Sequence, residues 1–121
     1  MISKELLSEV LSEDVARVYE FTEEDVFVPK EHITAAIYNK QTDTTEYPII
    51  SIYELQYKCK QWAYKLEEYV IESGLANGDA FARVFDRLAC TDSSPIFELT
   101  ADTEVEAVIK ACEWILINSY R

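Results

Sequence analysis

Tyr69-Val70-Ile71-Glu72-Ser73-Gly74-Leu75-Ala76-Asn77-Gly78-Asp79-Ala80-Phe81-Ala82-Arg83-Val84-Phe85 decides the fold class. Tyr69 to Leu75 and Ala80 to Phe85 flank Ala76-Asn77-Gly78-Asp79, and Asn77-Gly78 supplies two adjacent residues that tolerate positive φ. A two-residue hairpin turn needs that conformation, because only its backbone twist matches the right-handed twist of the flanking strands. An antiparallel hairpin with its tip at Asn77-Gly78 is predicted.

On the C-terminal side, Ile96 to Thr100 follows Pro95 and reads as a short strand. Thr103-Glu104-Val105-Glu106 is a capping box, in which the hydroxyl takes one orphan backbone N–H and the Glu106 carboxylate reaches back to another. It predicts a helix running to about Asn118, with its acids at the positive end of the macrodipole. On the N-terminal side, Ser51-Ile52-Tyr53-Glu54 is a second capping box. Ile52, Leu55, Cys59, Trp62, Ala63 and Leu66 fall on one side of a 3.6-residue winding, the stripe of a helix laid on a core.

The first half is less sharply marked. Ser3 precedes Leu6, Leu7, Val10 and Leu11 at helical spacing and reads as the N-cap of a short helix. Val15 to Phe21 and Asp25 to Val28 are rich in β-branched and aromatic residues and predict an antiparallel hairpin that Pro29 ends. Ile33 to Tyr38 places Ile33, Ala35 and Ile37 on one face of a third strand, followed by a polar loop from Asn39 to Glu46. The expected fold class is α+β: a mainly antiparallel sheet of about five or six strands, two long amphipathic helices packed on it, and a short N-terminal helix. Residues 1–121 are read as a single domain.

With 49% hydrophobic residues the chain has enough apolar surface to offset chain entropy and fold. No apolar run approaches the roughly 18 residues that span a bilayer, and Met1 to Leu11 lacks the basic and apolar regions of a signal peptide. Cys59, Cys90 and Cys112 are odd in number and widely spaced, as expected of reduced core thiols. A cytoplasmic protein without a membrane partner is expected. The net charge of −12 repels nucleic acid, whose phosphates need clustered Lys and Arg, so no direct nucleic-acid binding is expected.

Phe97-Glu98-Leu99-Thr100-Ala101-Asp102-Thr103-Glu104-Val105-Glu106-Ala107-Val108-Ile109-Lys110-Ala111-Cys112-Glu113-Trp114-Ile115-Leu116 resembles the C-terminal segment of small phage and prophage proteins. In the phage ABA sandwich domain group a strand likewise runs through a turn into an amphipathic helix. Ser51-Ile52-Tyr53-Glu54-Leu55 through Lys58-Cys59-Lys60-Gln61-Trp62-Ala63 looks like an earlier helix of the same group. The resemblance implies a mobile-element accessory protein in a bacterial cytoplasm and carries over no catalytic residue.

Residue types that do chemistry are sparse. His32 is the only histidine and no nucleophile motif flanks it, so the expected role is an ordinary polar residue at a strand edge. No Cys-x-x-Cys, His-Glu-x-x-His or calcium-loop pattern occurs, and Gly74 and Gly78 cannot build a phosphate-cradling loop. Neither a metal nor another cofactor is expected, and Glu67 with Glu68, or Asp102 with Glu104, suit solvent and capping as well as catalysis.

The aromatic residues carry more information. Tyr53, Tyr57 and Tyr64 share the side of their helix opposite Leu55 and Trp62, at about 100° per residue, with Lys60 near them. In the last helix Val105, Val108, Cys112, Ile115 and Leu116 form the core stripe. Ala107, Ala111 and Trp114 make a second apolar row, with Ile117 also off the stripe. A helix apolar on two sides is covered on two sides, and Tyr and Trp are enriched where partners bind. Tyr53, Tyr57, Tyr64, Ala107, Ala111, Trp114 and Ile117 are therefore the candidate protein interface. The expected function is a non-catalytic interaction module that binds a protein partner or itself as a homodimer. The alternatives are an acidic DNA mimic that inhibits a nucleic-acid enzyme and a small enzyme with a polar pocket.

Overall fold

The computed structural model describes residues 1–21, 26–87 and 94–119. Among these, the chain is α+β, with three helices and seven strands in two antiparallel sheets. It divides into two compact units, Met1–Leu55 and Gln56–Arg121.

The first unit opens with α1 (Lys4–Leu11), capped as its sequence predicts: Leu6 N–H donates to the Ser3 hydroxyl at 3.1 Å. Ser12 ends the helix in the left-handed region, and the Ser8 hydroxyl accepts from Val15 N–H, which sets the start of β1 (Val15–Tyr19). Leu6 and Leu7 are fully buried. The central strand is β2 (His32–Asn39), flanked on one edge by β1 and on the other by both β3 (Thr44–Glu46) and β4 (Ile49–Ser51). Proline explains why that second edge is split. Pro48 has no N–H to donate to a ladder, and the buried Thr34 hydroxyl donates instead to the Pro48 carbonyl at 2.5 Å.

Three expectations for this half are corrected. The partner of β1 is β2, paired from Val15↔Ile37 to Tyr19↔Thr34 with a bulge between Val15 and Arg17, and Val26–Val28 form no strand. Asp25, the first residue of the expected second strand, lies outside the described residues. The strand from residue 33 is also buried on both faces, since Ile33, Thr34, Ala35, Ala36 and Ile37 are all inside. Part of the expected loop, Thr44–Glu46, is itself a strand.

The second unit holds most of α2 (Ile52–Leu66), then β5 (Tyr69–Ala76), β6 (Asp79–Asp86), β7 (Phe97–Ala101) and α3 (Glu104–Asn118). Asn77 and Gly78 sit at the hairpin tip with φ of 54° and 84°, and the register runs from Tyr69↔Asp86 to Ala76↔Asp79. The expected single sheet is thus two, this one having the order β5-β6-β7. The α3 cap is formed by Thr103, whose Oγ1 accepts from Glu106 N–H at 3.2 Å.

One face of this sheet receives α3. Ala80, Ala82 and Val84 of β6 point to it, and their small size lets the helix approach closely. On its other side α3 meets α2. The Cys112 thiol donates to the Cys59 carbonyl at 3.6 Å, and the Gln56 amide donates to a Glu104 carboxylate oxygen at 2.7 Å. No helix among the described residues is long and apolar enough to cross a membrane.

Candidate functional site

Helix α2 is built to bury one side. Leu55, Cys59, Trp62 and Ala63 are buried, while Leu66 at the end of the predicted stripe is exposed. The start of α2 is unusual, because Ser51 is also the last residue of β4. Its hydroxyl still accepts from Tyr53 N–H at 3.2 Å and so acts as the predicted cap.

The opposite side carries the tyrosines. Tyr53, Tyr57 and Tyr64 are 58%, 63% and 47% exposed. Two of them are oriented by neighbours: the Tyr57 hydroxyl accepts from the Gln61 amide at 3.2 Å, and the Arg87 guanidinium lies 4.5 Å from the Tyr64 ring centre while donating to the Tyr64 carbonyl. Backbone contact from Arg87 N–H to the Glu68 carbonyl anchors that arginine at the end of β6. The rings thus have restricted rotamer freedom, which lowers the entropy lost when a partner covers them.

Beside Tyr64 runs a groove of about 320 Å³ between α2 and β5, lined by Lys60, Gln61, Tyr64, Lys65, Val70 and Ile71. Its walls are mainly hydrocarbon, including the lysine stems, with the ammonium groups able to reach the rim. Among the described residues neither Lys60 nor Lys65 forms an ion pair. The sequence signal for this groove is one of charge. Leu55–Leu66 is the longest run of the chain without an acidic residue, and it carries Lys58, Lys60 and Lys65 in a protein of net charge −12.

The second candidate row resolves differently. Ala107 and Ala111 are fully buried, so these two are corrected from surface to core: α3 is covered on one side by the sheet and on the other by α2. Trp114 is half-buried and stacks on Phe97 of β7, with ring centres 4.6 Å apart and planes 8° from parallel. Of this row only Ile117 is open, at 81% exposure.

A larger cleft of about 450 Å³ on the outer face of the second sheet is lined by Phe81, Arg83, Glu98 and Thr100 among others. Its arginine is already engaged, 2.8 Å from Glu72 and 3.5 Å from Glu98 and stacked over Phe81. His32 begins β2, and its Nδ1 donates to the Lys30 carbonyl at 2.8 Å. The adjoining cleft, about 230 Å³, includes Phe21, Ile33 and Ile52 with Glu20 and Glu31. Cys59 and Cys112 are buried free thiols, and Cys90 lies outside the described residues. Contact with Cys59, followed by burial, holds the Cys112 thiol well above the ordinary thiol range. No protein-family model, curated protein or solved structure matches the chain.

Proposed function

We propose that the chain is a non-catalytic protein-binding module whose docking surface is the outer side of α2. The exposure of Tyr57 and Tyr64 on a helix whose core side is already filled by Leu55, Cys59, Trp62 and Ala63 carries this reading. Tyrosine gives a partner a large apolar area with a hydroxyl at its tip and few torsions to freeze, which is why it recurs at binding hot spots. The occupant is a protein partner or a second copy, and no cofactor is called for. The two segments that resemble the phage group support a place among mobile-element accessory proteins acting in the cytoplasm.

A photo-reactive aromatic amino acid placed at position 57 tests this in extracts of the native host. The expected product is a covalent adduct with one protein species that Tyr64→Ser removes. Equal labelling from the same probe at Lys110, an exposed position on α3, would show general adhesion and sink the proposal.

A further inference from the structure

We infer that the groove between α2 and β5 receives an extended acidic peptide segment of a partner protein, with one apolar anchor side chain on its floor and carboxylates at Lys60 and Lys65. This deepens the docking-face reading and rests on it. The first argument is charge. In a chain of net −12, the acid-free stretch Leu55–Leu66 of α2 presents two lysines that form no ion pair among the described residues, beside an arginine stacked on Tyr64. Field complementarity therefore selects anions at this rim while the remaining surface repels them.

The second argument is shape. About 320 Å³ lies at the small end of binding pockets and suits one large side chain more than a whole cofactor. Val70, Ile71 and the Tyr64 ring offer such a side chain an apolar bed. The third is the strand beside it. Among the described residues β5 pairs with β6 alone and so forms an edge of its sheet, the position to which an extended chain adds in strand addition. Nucleic acid is the less suitable anion, because a polyphosphate would extend past two lysines onto acidic surface.

The probe is a capped heptapeptide with one tryptophan between two pairs of glutamates, titrated into the full-length chain and followed by amide NMR shifts. Saturable shifts are expected at Gln61, Tyr64, Lys65, Val70 and Ile71. Affinity should fall about tenfold or more in the Lys60→Glu/Lys65→Glu double variant, and it should weaken as salt rises. If that variant misfolds by circular dichroism, Lys60→Gln/Lys65→Gln takes its place with the same direction of effect expected. Replacing the tryptophan by serine, or the glutamates by lysines, should abolish binding.

Absence of shifts at Val70 and Ile71, or affinity unchanged by either lysine variant, overturns the inference. So does equal binding of a single-stranded oligonucleotide. A dimer in sedimentation that Lys60→Glu/Lys65→Glu splits would put a second copy in the groove instead, and also overturns it. Failure of the peptide with a persisting position-57 adduct removes only the groove assignment. Loss of the adduct with intact peptide binding removes only the tyrosine docking face.

Discussion

Helices α2 and α3 begin with similar sequence features and end with different surfaces. Each spans 15 residues, each starts behind a hydroxyl that accepts from a first-turn N–H, and each carries aromatic or apolar residues off its main stripe. In α3 all of those extra residues but Ile117 are consumed within the chain: Ala107 and Ala111 are buried and Trp114 stacks on Phe97. In α2 the corresponding positions, Tyr57 and Tyr64, remain open. The difference is one of cover: the buried arc of α3 runs from Ala107 and Ala111 round to Val105 and Ile109, whereas α2 buries only the side that carries Leu55, Cys59, Trp62 and Ala63. A helix that meets more of its own chain needs apolar residues over more of its circumference. Apolar surplus is therefore informative only where it stays exposed.

The largest test of this contrast is Trp114→Ala, which removes a stacked and half-buried ring from the core. It should lower unfolding free energy by about 2–3 kcal/mol in urea titration. A loss near zero would return Trp114 to the surface and erase the distinction between the helices. Next, Ala111→Leu forces extra methyl groups into a space with no room and should cost about 1–3 kcal/mol, read as a fall in melting temperature. An unchanged melt would mean that side of α3 is not closed.

Alkaline titration sharpens the same point through Cys112, whose thiol is held protonated between the helices. Its folded pKa is raised, so this contribution is fully present below the ordinary thiol range and is lost as pH rises through and beyond it. The unfolded thiol ionises first, which favours unfolding by at most about 1.4 kcal/mol per pH unit. Wild type should therefore lose more stability than Cys112→Ala between neutral and strongly alkaline pH in chemical denaturation. Parallel curves would show the thiol to be solvated. The smallest effect is expected on α2, where Tyr57→Ser should change stability by no more than about 0.5 kcal/mol while removing partner capture. A large destabilisation there would make Tyr57 part of the core.

The two halves of the chain differ in how legible they were. In the second half the Asn77-Gly78 tip, the Thr103 cap and the spans of both helices follow from chemistry among residues a few positions apart. In the first half, Val15 to Tyr19 is a strand as expected, but its partner is β2 and not the adjacent apolar residues after Asp25. Strand propensity says that a segment is extended and does not say which neighbour it pairs with. The candidate site divides likewise. The tyrosine side of α2 could be derived from helical angles alone, and the acid-free lysine run beside it was visible in the sequence. That Val70 and Ile71 complete a groove there depends on where β5 runs.

By itself the sequence determined the α+β class, the cap residues, the hairpin turn and which residues share each helix side, because these depend on bond geometry and hydrogen bonds within a turn or two. Only the tertiary structure decided that the strands form two sheets, that β2 is buried on both faces, and that Ala107 and Ala111 of α3 are buried while the tyrosine side of α2 stays open. Those outcomes depend on contacts between segments far apart in the chain. For such contacts the free energy depends on which surfaces meet, and local propensity carries no information about that.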